Sequence, residues 1–253
     1  MLKNFLNYTG CLIFVLLYGC SNDEFLLLDH VPQEGLVALY SFDGDALDLT
    51  TNRFHGTISG SEFGLDRFDE PNQAILFDGV DDYVDISEGQ AFKIEPPLSI
   101  SYWIKLDQNT ITTTIFTSSF DSDRNRGVFA TFNSNGANPS FSIGDGGVFG
   151  SGSRFTVHAN QTLEPDRWYH IVGVYSALNE IDVYVDGDLV ETFSSGSASS
   201  LEYGSGPVTF GRRYATTGAD PLFFSGALDE FAFYDRALSS EEVRLLLEAG
   251  EAR

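Results

Sequence analysis

The sequence predicts an all-β fold: two antiparallel sheets stacked as a sandwich or jelly roll, closed by one short helix. Two observations predict it. Short β-rich runs recur along the chain with turn signals between them, and spacing suited to a helix occurs only near the end. With 22 Phe in 253 residues, and no Pro-, Ser- or Gly-rich linker inside 36–247, the chain reads as one large core.

The runs follow in order. LVALYSF (36–42) is first, then AILFDG (74–79) and DYVDIS (82–87). In LSISYWIKLD (98–107), Ile100, Tyr102, Ile104 and Leu106 share one face, and Ser99, Ser101, Trp103 and Lys105 the other. GVFATFNS (127–134), PSFSIG (139–144), WYHIVGVY (168–175) and IDVYVDG (181–187) continue the series. Asp186-Gly187 is a hairpin signal, because these residue types tolerate the positive φ of a two-residue turn. VTFGRRY (208–214) and GALDEFAFY (226–234) complete the strands. The helix opens at Ser239, whose Ser-x-x-Glu with Glu242 is a capping box; it runs through Val243 and Leu245–Leu247 and stops at Gly250.

The first twenty residues, MLKNFLNYTGCLIFVLLYGC, are of another kind. Lys3 precedes an apolar run from Cys11 to Tyr18, too short to span a bilayer, and small Gly19 stands before Cys20. This layout reads as a secretory signal over 1–19. LLYGC also resembles the bacterial lipobox, in which the Cys is lipidated and becomes the first mature residue. The resemblance implies a lipid anchor on Cys20, a tether over 20–35 and a domain over 36–253. Ser21, where Asp would favour inner-membrane retention, implies the outer membrane of a Gram-negative bacterium; Asp23 and Glu24 resemble an acidic surface-export signal. Cys11 leaves with the signal and Cys20 carries lipid, so no disulfide is expected in the mature fold.

Acidic residues outnumber basic ones 37 to 14, for a net charge of −23. Nucleic acid and anionic lipid surfaces are therefore poor partners, whereas divalent cations and neutral polymers stay open.

Six blocks occur in a recognisable order: LVALYSFDGDALDLTTNRFHGTISG, FDGVDDYVDI, LSISYWIK, DRWYHIVGVY, IDVYVDGDLV and FSGALDEFAFYDRALSSEEV. Together they resemble the LamG-like jelly-roll domain of the concanavalin A-like lectin/glucanase superfamily, from Leu36 to Leu247. The resemblance implies the two-sheet antiparallel jelly roll. It leaves function open, because the same sandwich carries lectins, adhesion modules, hydrolases and accessory domains.

One stretch bears on catalysis. EIDVYVDGD (180–188) begins like the E-x-D-x-E or E-x-D-x-x-E strand motif of related glucanases. A retaining pair needs two carboxyl groups about 5–5.5 Å apart on one groove. After Glu180 and Asp182 the next positions are Tyr184 and Val185, so the second essential carboxylate is missing and the stretch reads as a strand entering a turn. His30, His55, His158 and His170 are isolated, and His170 alternates with Trp168 and Val172 like a strand residue.

Three acidic clusters suit a hard cation, which takes oxygen ligands: Asp43/Asp45/Asp48, Asp78/Asp81/Asp82 and Asp229/Glu230. The bland use of such Asp residues is to cap turns. By resemblance, a structural calcium is expected where the first and last strands meet, held by Asp43, Asp229 and a carbonyl near Gly79. Carboxylates from distant segments repel unless a cation or an Arg lies between them. DSDRNRG (121–127) starts like an EF-hand loop but has Arg126 at its sixth position and Phe132 where the bidentate Glu would stand. It reads instead as a polar loop suited to a sugar, with Asp121, Asp123 and Asn125 beside Phe120. Arg212, Arg213 and Tyr214 end another strand, and Trp103 lies on the polar face of its own; of these, Trp103, Arg212 and Tyr214 join the ligand-binding candidates.

The sequence thus points to a surface-anchored, non-catalytic recognition domain for a glycan or glycan-bearing partner, with a structural calcium. A glycoside hydrolase or lyase, and a protein-binding structural subunit of a surface assembly, are the alternatives.

Overall fold

The computed structural model describes residues 23–87, 89–108, 114–119, 121, 124–132, 137–148, 152–214 and 221–251, leaving aside the side chains of 23–26, 214 and 221. Cys20, Phe120, Asp123 and the Tyr214 side chain therefore lie outside the described residues. The chain begins with α1 (Asp23–His30), β1 (Leu36–Tyr40), β2 (Thr57–Ser59), β3 (Glu62–Gly64), β4 (Ala74–Asp78) and β5 (Tyr83–Ile86). A short 3-10 turn, Gly89–Phe92, leads to β6 (Leu98–Leu106), β7 (Thr114–Thr117), β8 (Arg124–Phe132), β9 (Pro139–Val148) and β10 (Arg154–Ala159). Next come β11 (Trp168–Ala177), β12 (Glu180–Val185), β13 (Asp188–Leu189), β14 (Thr192–Gly196) and β15 (Val208–Phe210). The last elements are β16 (Arg212–Tyr214), β17 (Pro221–Phe223), β18 (Ser225–Tyr234) and α2 (Ser240–Glu251).

Two antiparallel sheets form the sandwich. The first runs β13-β12-β11-β6-β18-β4-β3, with β1 also on β18; the second runs β14-β10-β9-β8-β7-β15-β5-β2, and β16-β17 is a separate hairpin. The predicted alternation in β6 holds: Ile100, Tyr102 and Ile104 are fully buried between the sheets. There they meet Val128, Ala130, Phe141 and Ile143 of the second sheet, and Phe231 of β18. Phe231 is the hub, its ring centroid 4.7 Å from Phe210 and 4.9 Å from Phe116. At the β12–β13 turn, Asp186 and Gly187 both have positive φ, as the hairpin signal requires.

The outer face of the first sheet is apolar too. Leu39, Val172, Val174, Tyr184 and Tyr234 are covered by Leu27 and Val31 at the α1 end and by Val243, Leu246 and Ala249 of α2. Each such aliphatic side chain contributes roughly 1.5–3 kcal/mol by leaving water. The capping box forms as read, with the Ser239 amide donating to Glu242 Oε2 at 2.9 Å and the Glu242 amide to Ser239 Oγ at 3.3 Å. Arg236 grips the same carboxylate at 2.6 Å, and these bonds hold the Glu242 carboxyl down to about 2.

Within the segment 20–35, α1 forms, and Leu27 and Val31, one turn apart, bury against the first sheet. The second arm of the Asp186-Gly187 hairpin was expected as DLVETF (188–193) and forms as β13 and the start of β14, whereas β2, β3, β7, β10 and β17 were not read from sequence. Among the described residues no helix is long and apolar enough to cross a membrane.

Candidate functional site

The outer face of the second sheet differs in kind from that of the first. Its core-facing residues are apolar, and the residues between them are small and hydroxylated. Register carries one row across all eight strands: Thr57, Asp85, Thr209, Thr117, Phe129, Ser142, Thr156 and Ser195. A second row, Thr114, Thr131, Ser140, His158 and Phe193, runs beside it. Opposed residues of an antiparallel pair lie on one face, so these side chains meet across strands.

The hydroxyls bond to one another. Ser142 Oγ and Thr156 Oγ1 are 2.9 Å apart, and His158 bridges Ser140 at 2.8 Å through Nδ1 and Ser195 at 3.2 Å through Nε2. Burial, and then the charge of Arg154, push the His158 pKa below its ordinary value. The ring is therefore neutral at neutral pH, one nitrogen donating and the other accepting. Phe193, 50% exposed, stacks on it at 4.9 Å and 28°. Arg154, on the same face two residues before Thr156, is half-buried. The β10–β14 edge thus offers an aromatic plate, a neutral imidazole and a guanidinium above fixed hydroxyls. Such a set suits a polyhydroxylated ligand, with apolar stacking against a ring face and a few placed polar groups.

The described ones among the predicted ligand residues, Trp103, Asp121, Asn125 and Arg212, are engaged elsewhere. Trp103 does lie among Ser99, Ser101 and Lys105, but that face is roofed by α2, leaving the indole 6% exposed. Arg67 stacks on it at 4.5 Å, and it cannot serve as a sugar plate. Asn125 is buried and donates to Ser153 Oγ at 2.9 Å. Asp121 takes an ion pair from Arg126 at 2.6 Å. Arg212 bonds Asp85 at 2.6 Å and stacks on Tyr83 at 3.5 Å, so it pins the β16–β17 hairpin to the sheet.

Of the residues expected to hold calcium, Asp229 is engaged by an arginine. Asp229 is fully buried beside Trp103, and Arg67 Nη1 bonds its carboxylate at 2.7 Å. Arg67 Nη2 reaches Glu230 at 2.5 Å, and its Nε donates to the Gly250 carbonyl at 2.8 Å. The Arg67 guanidinium thus supplies positive charge to both acids. Asp45 and Asp48 cap their own turn, Asp48 accepting the amides of Leu39, Thr50 and Phe54. Among the described residues, Asp78, Asp81 and Asp82 alone form a group within ligand reach, and it contains neither Asp43 nor Asp229. Their oxygens close the turn around Gly79: Asp78 accepts the amides of Val80 and Asp81, and Asp82 that of Asp78.

Glu180 and Asp182 stand exposed on the outer side of β12, while Ile181, Val183 and Val185 point into the core. His170 is fully inside, its Nε2 2.9 Å from Ser101 Oγ, with its pKa pushed down to about 3 by burial and by Arg67. It is a structural imidazole. Sequence reasoning missed Arg154, His158 and Phe193 as a group. The signal that could have found them was the polar alternation of RFTVHA (154–159), where Arg, Thr and His interleave with Phe and Val.

Comparison with solved structures agrees on the fold. Domain 4 of AbnA, a GH43 extracellular arabinanase from Geobacillus stearothermophilus, matches with a TM-score of 0.61 at 22% identity, over 84% of this chain and 98% of that one. Trypanosoma rangeli sialidase matches at 0.59 and 17% identity, over 87% of this chain but 34% of the sialidase. The botulinum neurotoxin serotype C1 binding domain matches at 0.58 and 16%, over 85% of this chain and 52% of the toxin chain. No curated protein sequence matches. Residues 78–244 match the family profile described as the concanavalin A-like lectin/glucanases superfamily, and the chain belongs to that family.

Proposed function

We propose that this protein is a non-catalytic saccharide-recognition domain, held by lipid on Cys20 at the outer-membrane surface of a Gram-negative cell. Its ligand lies on the outer face of the second sheet, at the β10–β14 edge. The observation that carries this reading is the exposed Phe193–His158 stack set beside Arg154 and the hydroxyl rows. Similar structures support it: the arabinanase domain is described in complex with arabinotriose, the sialidase with sialic acid, and the type C toxin as entering cells through two ganglioside molecules. Hydrolysis has no part in this reading, since Glu180 and Asp182 sit on the outer side of the other sheet.

A glycan array probed with the protein tests the ligand class. Phe193→Ala should weaken binding of any captured glycan roughly tenfold, the scale of one lost aromatic contact, and leave thermal unfolding unchanged. Capture of no glycan, or equal capture by the variant, overturns the reading. The anchor is tested separately. A palmitate analogue should label the wild type and not Cys20→Ser, and equal labelling would remove the lipid from the proposal.

A further inference from the structure

A sheet edge carries unpaired backbone amides and carbonyls, and proteins blunt it with short strands, charges or proline. Four strands end the two sheets, and three of them are blunted in this way. β13 has two residues and opens on Asp188, β3 has three and opens on Glu62, and β2 spans only Thr57–Ser59. β14 is different. Its five residues, TFSSG, are exposed at every position and include neither a charge nor a proline.

Alternation fixes which backbone groups of β14 face outward. The Asn160 amide donates to the Glu191 carbonyl at 2.7 Å, so Glu191, Phe193 and Ser195 direct their backbone groups at β10. Thr192 and Ser194 direct theirs away from the sheet. An antiparallel copy of the same segment answers that pattern. With Ser194 facing the second copy's Ser194, Thr192 falls opposite Gly196 and Phe193 opposite Ser195. The outward groups of the two strands then meet as hydrogen-bonded pairs.

Charge agrees with this register. It sets the second copy's Glu191 opposite Ser197, on the face that carries Arg154, which stands one place beyond the Phe155–Gly196 pair. Glu191 is exposed, and Arg154 makes no ion pair among the described residues. Two strand spacings of about 4.8 Å separate them, a gap that two long side chains can bridge.

We propose that two copies of this chain join antiparallel through β14, so that their second sheets form one continuous surface on which both Phe193 plates serve one saccharide. The contact stands without a ligand, and the shared ligand rests on the saccharide reading above. The two Phe193 residues lie diagonally across the new pair, about 7–8 Å apart, close enough for neighbouring units of one sugar chain. One strand pair is a smaller contact than the roughly 1,200 Å² at which stable complexes begin. The association is therefore weak in dilute solution, and a covalent trap is the measurement that suits it.

Single cysteines test the register in the full-length protein in detergent. Wild type, oxidised alongside, reports any linkage through Cys11 or Cys20. Ser194→Cys should give a disulfide dimer well above that level, since the Cα atoms of such a pair lie about 5.5 Å apart, within disulfide reach. Thr192→Cys, about 14 Å from its mate along the partner strand, should stay at the wild-type level. So should Leu189→Cys, exposed on β13 of the other sheet. A dimer yield at 194 no greater than at 189, or equal yields at 192 and 194, overturns the contact. Ser194→Lys places two ammonium groups at the axis, on the side of the strand away from Phe193. It should weaken binding of a glycan captured on the array at least fivefold, and unchanged affinity overturns the shared surface. An empty array removes the saccharide reading and the shared ligand with it, while the trapping result alone decides the contact.

Discussion

Replacing Arg67 by Met should cost the protein about 3–5 kcal/mol of stability, the range for removing one partner of a buried charge pair. Arg67 neutralises Asp229 and Glu230 at once, is buried over the Trp103 ring, and satisfies the Gly250 carbonyl in the last turn of α2. Methionine fills part of the volume and supplies none of the charge. Two carboxylates would then be left inside, and the end of α2 would lose its donor. Urea unfolding of wild type and variant measures the difference. The same change made in an Asp229→Asn, Glu230→Gln background should cost much less, because the loss comes from stranded charge. A drop below about 1 kcal/mol in the wild-type background would show that the acids find another partner.

Phe231→Ala should be as damaging through a different cause, about 3–5 kcal/mol for an aromatic cavity in a packed core. The ring is fully buried and touches aromatic rings from several strands, with Tyr40 at 6.3 Å, Tyr102 at 6.4 Å, and Phe116 and Phe210 closer still. These neighbours belong to both sheets, so none can move into the gap without opening the sandwich. Chemical denaturation should show a lower midpoint at an unchanged slope. A loss under about 1.5 kcal/mol would mean that the core repacks around the missing ring.

How far the sequence could be read depended on the kind of information each residue carried. Strands with one face in the core announced themselves by period two, as in β6, and α2 by its capping box, because those are local patterns. The extent of β14 and its pairing with β10 were not legible: beyond Phe193 the strand is exposed along its length and alternates in nothing that hydropathy detects. Trp103 was placed on the correct face but misjudged, since burial there depends on α2, which returns to cover the sheet from the far end of the chain. The Asp229–Glu230 pair signalled a need for a cation, yet its partner Arg67 lies 162 residues from Asp229 and has no distinguishing context.

The cross-strand bonds among Ser140, Ser142, Thr156, His158 and Ser195 have a thermodynamic consequence. A ligand that settles on a mobile surface must first freeze the side chains that greet it, at about 0.5–1.5 kcal/mol for each long, rotatable one. Here the hydroxyls and the imidazole are already held in place by one another. Little rotational freedom remains to be lost when a ligand arrives, so a small footprint can yield useful affinity. Ser140, Ser142 and Thr156 are buried beneath the surface, so discrimination falls to His158 and Ser195 above them. A sugar whose hydroxyls miss these two fixed groups finds no side chain able to swing across and meet it.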